Sequence, residues 1–232
     1  MSKSTDSLIG RLEDGVVLAA EGYIFELERR GYVKAGPFVP QVVQNRPSAL
    51  KELHVEFARA GSDVIVACTY YAHRAKLKAT GQERLLEEIN VQSVAIAKDA
   101  AREYGALTAG NLCNTWEYDL EDLDGSRKIV REMFEEQTRW AVDGGVDFII
   151  AETFSHLGEA VIALEVIKEA GVPAVVTFIP LRPMTCDGYA WDEACKILED
   201  NGADVVGLNC GRGPASMLPI LEKIRTKVSG HY

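Results

Sequence analysis

Two rhythms of apolar residues take turns along the chain: short β-branched runs, and longer stretches in which apolar positions recur with a period of about 3.6. The short runs are Val16–Ala20, Asp63–Thr69, Ala106–Leu112, Asp147–Glu152, Pro173–Ile179 and Asp204–Asn209. Each reads as a buried strand bounded by turn residues. The helical rhythm predicts helices over Tyr23–Arg30, Ser48–Ala60, Gln82–Tyr104, Ser126–Val142, Leu157–Ala170, Trp191–Glu199 and Ala215–Val228. Ser126 stands where an N-cap would start its helix. Two prolines in Lys34–Pro40 break regular structure and predict a loop.

Strands that are continuous apolar runs, each followed by a helix, imply a parallel sheet with its faces covered. Two α/β architectures fit that alternation. An open doubly wound sheet would carry a glycine-rich nucleotide turn after an early strand, and Ala20-Glu21-Gly22-Tyr23 is not one. A (β/α)8 barrel of the TIM type puts its chemistry on several strand ends at once. The expectation is therefore a TIM-type barrel with about six of its β/α units in this chain. It is read as a single domain over residues 1–232 that lacks the last two strands. Unpaired sheet edges in such a chain predict a homo-oligomer or a modified barrel.

Composition narrows the partners. Net charge is −10 without a Lys/Arg cluster, which argues against nucleic acid and anionic membrane. No apolar run reaches the roughly 18 residues that a membrane span needs. The first residues lack the apolar core of a signal peptide, so a cytoplasmic protein is expected. Its five cysteines, at 68, 113, 186, 195 and 210, are irregularly spaced and read as thiols or ligands rather than disulfides.

Chemistry-bearing side chains gather at the predicted strand ends. Glu21, Tyr70, Tyr71, Cys113, Glu152, Asn209 and Cys210 all occupy such positions. Cys210 is either a small buried hydrophobe or a thiolate ligand or nucleophile at the rim. Glu152 ends an apolar run and is either an N-terminal partner for the helix after the Thr153-Phe-Ser-His-Leu157 turn or a substrate anchor, its place at the rim favouring the anchor. Phe38, Tyr70, Tyr71 and Trp116 could wall off a methylated cation through cation–π attraction. No predicted strand carries a lysine, which argues against a Schiff-base lyase or aldolase.

With those residues in view, the chain resembles the homocysteine S-methyltransferases, and among them the betaine–homocysteine type. The resemblance rests on Glu28–Pro37, Phe57–Val64, Thr69–Ala72, Ala151-Glu-Thr-Phe-Ser-His156 and Val206-Gly-Leu-Asn-Cys210. It implies a zinc-dependent enzyme that moves a methyl group from betaine, or a similar methylated cation, to homocysteine, giving methionine. By matching position, Cys210 would be a zinc ligand and Glu152 an anchor for the homocysteine amino group. Asn209 would support the ligand, and Tyr71 would lie near the donor. Glu21, Gly22, Phe38 and Tyr70 complete the implied substrate-binding set. Three departures stand out. Ala20-Glu21-Gly22 replaces the family's Asp-Gly-Gly, Phe38 replaces a tryptophan, and the Gly-Gly-Cys-Cys-Gly of an eighth strand has no counterpart. Two zinc thiolates are thus missing from these residues. Cys68 and Cys113 are poor replacements, because strands two and six of a closed barrel face each other too far apart for a zinc–sulfur bond of about 2.3 Å. The competing reading is a metal-free relative that binds a small amino acid or methylated cation without turnover.

Overall fold

The computed structural model describes residues 7–34 and 39–232. Six strands lie in it: β1 (Ala19–Ala20), β2 (Val64–Val66), β3 (Leu107–Cys113), β4 (Phe148–Phe154), β5 (Ala174–Phe178) and β6 (Val205–Leu208). Sheet order equals chain order. The pairings β1–β2, β2–β3, β4–β5 and β5–β6 are parallel. Between them run α1 (Leu8–Asp14), α2 (Tyr23–Arg29), α3 (Val42–Asn45), α4 (Pro47–Arg59), α5 (Arg74–Ala79), α6 (Leu86–Tyr104), α7 (Leu123–Asp143), α8 (Leu157–Glu169) and α9 (Trp191–Asp200). Helix α10 (Pro214–Lys227) follows β6. This is the β/α alternation of the barrel type that the sequence predicts.

The chain groups into two compact units, residues 1–111 with 137–148, and residues 112–136 with 149–232. In the first, β2 is buried along its whole length, and Leu27, Leu50, Leu53 and Ile89 pack without exposed surface. In the second, Phe134 meets Phe154 edge to face with ring centroids 6.0 Å apart, and Phe178 packs against Trp191. Burial of these side chains drives both units.

One device recurs at the amino ends of the strands. A helix ends on a left-handed glycine, and two residues later an aspartate opens the next strand, as in Gly61-Ser-Asp63, Gly145-Val-Asp147 and Gly202-Ala-Asp204. In each case one aspartate oxygen accepts the backbone N–H at the start of the preceding strand: Leu18 at 2.9 Å, Thr108 at 2.7 Å and Ala174 at 2.8 Å. A donor that the ladder would leave unpaired is satisfied.

Several boundaries move. Helix α7 begins at Leu123, and its N-cap is Asp122, which accepts the Gly125 N–H at 3.1 Å. Ser126, expected as the cap, instead donates its hydroxyl to the carbonyl of Asp119 at 3.1 Å. Helix α6 starts at Leu86, after a single 3₁₀ turn over Glu83–Leu85. Helices α1, α3 and α5 have no counterpart among the helices that the sequence predicts. At the other end, His231 forms an isolated parallel bridge to Val205 and accepts the Val206 N–H at 3.1 Å.

Candidate functional site

In the second unit a polar cluster is built around a β-bulge. Ala151 pairs with Val176 and Phe154 with Phe178, so β4 has one residue more than β5 between those pairs. The extra length falls at Glu152-Thr153, and Thr153 takes φ 67. A left-handed conformation is costly for a β-branched residue and persists only where surroundings hold it. Here they do. Asn209, just beyond β6, accepts the Thr153 N–H at 2.9 Å and the Thr177 hydroxyl at 2.9 Å through its side-chain oxygen. Its side-chain nitrogen donates to the Thr153 hydroxyl at 2.8 Å and to Glu152 Oε2 at 2.9 Å. From the end of β3, Asn114 donates to the Thr153 carbonyl at 3.0 Å.

All four hydrogen-bonding positions of the Asn209 amide are therefore in use. One of them holds the Glu152 carboxylate, of which little surface is exposed. Glu152 does not end the strand, as the sequence suggested; β4 runs two residues further, through the bulge.

Cys210 follows at φ 60 and is exposed. It lies two residues past the end of β6, not on the strand itself. Arg212 locks its turn by donating its N–H to the Cys210 carbonyl at 2.9 Å and its guanidinium to the carbonyls of Pro180 and Leu181. Gly211 is required there: with φ 72, a Cβ would also run into Leu181 and Ile179.

Trp116 is exposed on another left-handed turn, at φ 67. Its neighbour Thr115 donates both its N–H (2.7 Å) and its hydroxyl (2.6 Å) to Glu159 Oε1. Burial pushes the Glu159 carboxyl above its ordinary range, partly offset by those two bonds.

The first unit holds the other sequence candidates. Glu21 and Gly22 directly follow β1, both exposed, and Gly22 takes φ 76 to open α2. Tyr70 and Tyr71 come four and five residues after β2, with ring centroids 4.3 Å apart. Tyr71 sits at φ 66, and the Nζ of Lys76 lies 3.8 Å from its ring centroid. Phe38 lies outside the described residues. All four left-handed non-glycine residues among those described fall within or after the carboxyl-terminal part of a strand, where barrels of this type carry function. Sequence reading missed Thr177, Asn114 and Lys76. Of these, only Thr177 left a local trace, a polar residue inside an apolar strand.

The family model for homocysteine S-methyltransferase matches residues 22–231. The chain belongs to the homocysteine S-methyltransferase family. It is 36% identical over 235 residues to betaine–homocysteine S-methyltransferase 1 of Xenopus laevis, covering 97% of this chain and 57% of that protein. It is 34% identical over 225 residues to S-methylmethionine–homocysteine S-methyltransferase of Mus musculus, covering 97% of this chain and 60% of that one. The chain thus spans less than two thirds of these curated relatives. The metallated form of the homocysteine methyltransferase MmuM from Escherichia coli shares the fold. Its TM-score is 0.81 at 20% identity, over 95% of this chain and 83% of that one.

That relative is metallated, and a metal in this member would need donors of its own. A protein zinc site takes at least three protein ligands. Among the described residues, no group of three His, Cys, Asp or Glu side chains is placed to hold an ion. Cys68, weighed as a replacement ligand, is buried, and desolvation pushes its thiol up to about 12. Cys113 is buried as well, its thiol donating to the Asn114 carbonyl. By themselves, these residues do not make a zinc site.

Proposed function

We propose that this chain carries the homocysteine-binding part of an S-methyltransferase that moves a methyl group from a methylated cation, betaine or a similar donor, to homocysteine, giving methionine. The observation that carries this reading is the Glu152 carboxylate, fixed by Asn209 on the strained bulge beside Cys210. In this reading Glu152 anchors the homocysteine ammonium and Asn209 holds Glu152. The substrate sulfur is directed toward Cys210. Glu21, Gly22, Phe38, Tyr70 and Tyr71 serve the donor side.

In the reaction a carbon–sulfur bond forms as the donor's carbon–nitrogen or carbon–sulfonium bond breaks, and the bonding pair stays with the donor. A thiol of ordinary pKa, about 8.5, is mostly protonated at neutral pH and must first release its proton to solvent. Thiolate and cation neutralise each other as the methyl moves, so alignment and exclusion of water supply the acceleration. No residue described here need act as a general acid. A cytoplasmic setting belongs to the same reading, supported by five free cysteines and by the absence of any described helix long and apolar enough to cross a membrane. Homo-oligomerisation also stays within it.

Calorimetry with L-homocysteine and with 4-mercaptobutyrate, which lacks the amino group, tests the anchor. Glu152→Gln is expected to weaken homocysteine binding by about tenfold or more and to leave the des-amino analogue unchanged. Equal affinities for homocysteine in wild type and Glu152→Gln would remove the basis of the reading.

One observation favours a second reading, binding without turnover: no three-donor group forms among the described residues. Methionine formation from homocysteine with betaine, dimethylsulfoniopropionate or S-methylmethionine, with zinc supplied, separates the two.

A further inference from the structure

Glu159 is buried in the first turn of α8, with 2% of its surface exposed. A glutamate at the third position of a helix ordinarily reaches back to the helix start, as in a capping box. Here that start is served from the loop between β5 and α9. Asp187 accepts the N–H groups of Leu157 at 2.9 Å and Gly158 at 2.8 Å. Glu159 instead directs one oxygen to the turn after β3, where it takes the N–H and the hydroxyl of Thr115. We propose that Glu159 is a positioning residue for the Glu152 anchor, acting through Thr115 and Asn114 on the bulge that carries it. The inference deepens the methyl-transfer reading, and its meaning for substrate binding rests on that reading.

The route is short, and every residue on it lies in the second unit. Thr115 is buried, and its hydroxyl accepts the Glu117 N–H at 3.2 Å while donating to Glu159 at 2.6 Å. The latter length is that of a charge-assisted O–H···O⁻ bond, about 2.5–2.7 Å. Asn114 stands between Cys113, where β3 ends, and this fastened threonine, so its backbone is held on both sides. From there its side chain donates to the Thr153 carbonyl at 3.0 Å.

Thr153 is where the route bears on the anchor. Its φ of 67 is a strained value for a β-branched residue. Asn209 holds its N–H at 2.9 Å and Asn114 its carbonyl, so both peptide groups that flank the strained residue are gripped. Release of either lets Thr153 relax toward extended backbone and turns the adjoining Glu152. Burying a carboxylate at Glu159 sacrifices solvation that an apolar side chain would not lose. Two strong bonds to one turn are what that burial obtains, and a carboxylate anchor recognises an ammonium only while it is held to about 0.5 Å.

Calorimetry compares L-homocysteine with 4-mercaptobutyrate in wild type, Glu159→Gln and Glu159→Leu. Glutamine keeps an oxygen acceptor for Thr115, whereas leucine keeps the size without one. Glu159→Leu should bind homocysteine about tenfold more weakly and the des-amino analogue within about twofold of wild type. Glu159→Gln should restore homocysteine affinity to within about threefold. A role in stability alone would move both ligands together, and that result would overturn the proposal, as would a folded Glu159→Leu that discriminates as wild type does. Should Glu159→Leu fail to fold, Asn114→Leu cuts the route at its last bond. It should weaken homocysteine about fivefold and spare the analogue, and equal effects on both would again overturn the proposal.

Hydrogen exchange without ligand separates this inference from the methyl-transfer reading. Exchange at the Thr153 N–H, followed by NMR, should quicken about tenfold in Glu159→Leu and return close to wild type in Glu159→Gln. Wild type that does not distinguish homocysteine from the analogue would sink the methyl-transfer reading, while faster exchange in Glu159→Leu would still show that Glu159 holds the bulge. Discrimination in wild type with unchanged exchange in Glu159→Leu would remove Glu159 from the route and leave that reading standing.

Discussion

Asn209 commits every donor and acceptor of its amide to one bulge, and single substitutions there separate its roles. Replacement by alanine strips hydrogen bonds from the Thr153 N–H and hydroxyl, the Thr177 hydroxyl and Glu152. Leaving such partly buried groups unpaired costs about 1–3 kcal/mol each, reduced where water can enter, so a total loss of about 2–3 kcal/mol is expected for Asn209→Ala. Asn209→Asp is the more informative change. It keeps the two acceptor bonds, loses both donor bonds, and sets a second carboxylate beside Glu152. Like charges so close cannot both ionise easily, and the proton one of them retains weakens the hold on a cation. The aspartate variant should therefore be closer to wild type in urea denaturation than the alanine variant, yet bind homocysteine no better than it. If both variants melt and bind as wild type does, the four-bond clamp has no energetic weight. Little of this was legible beforehand. The sequence marked Asn209, Cys210 and Glu152 as strand-end residues, but the bulge arises from the register of β4 on β5. No local pattern at Thr153 announces it.

At the level of elements, the helix-to-strand joints decide more than the strands themselves. Continuous apolar runs made β2 to β6 readable, because strands buried on both faces leave an unbroken signature. The 3.6 period did the same for α4, α6 and α8. Short pieces escaped: α5, Arg74–Ala79, carries three basic residues in six and shows no apolar face wide enough to register. The Ser126 cap was misplaced because Asp122, four residues earlier, offers a carboxylate at a position where only its bond to Gly125 distinguishes it. The Gly-x-Asp joint was legible in principle, since it recurs three times, but its meaning lies in a bond to the preceding strand. It makes a clear prediction. Asp204 accepts the Ala174 N–H at 2.8 Å and pairs with Lys168 at 3.0 Å. Asp204→Ala should lower stability by about 1–2 kcal/mol in urea denaturation. It lies at the amino end of β6, with Asn209 beyond the other end, so homocysteine affinity should stay within about twofold. A tenfold loss of affinity would show that the two ends of the strand are coupled after all.

On the scale of the whole chain, acid stability can be assigned to particular groups, because the global charge works in the other direction. The chain carries a net charge of −10, so mild acidification relieves self-repulsion and should favour the compact state. In the first unit, His54 opposes this. Its ring is fully buried edge-on against Tyr23 at 4.7 Å, and desolvation pulls its pKa from 6.5 down to about 3. An unfolded chain takes up a proton at this histidine below pH 6.5 while the folded one does not. Stability present above that value is therefore lost as pH falls toward 3, at roughly 1.4 kcal/mol per pH unit. In the second unit the signs are mixed. Partial burial lowers His156, which acts as His54 does, whereas burial raises Glu159 above 4.5. A carboxyl with a raised folded pKa favours the folded state at low pH and loses that contribution as pH rises through its folded value. Exposed ion-paired carboxylates such as Glu26 and Asp99 titrate below their ordinary range and stay out of the window between pH 6.5 and 4.5. Hydrogen exchange followed by mass spectrometry at pH 6.5, 5.5 and 4.5, corrected for the intrinsic rates, should show protection falling first in peptides of the first unit. His54→Leu should remove most of that slope. It should cost little near neutral pH, since neither ring nitrogen has a hydrogen-bond partner among the described residues. Parallel slopes for wild type and His54→Leu would mean that the acid sensitivity of this unit lies in other groups.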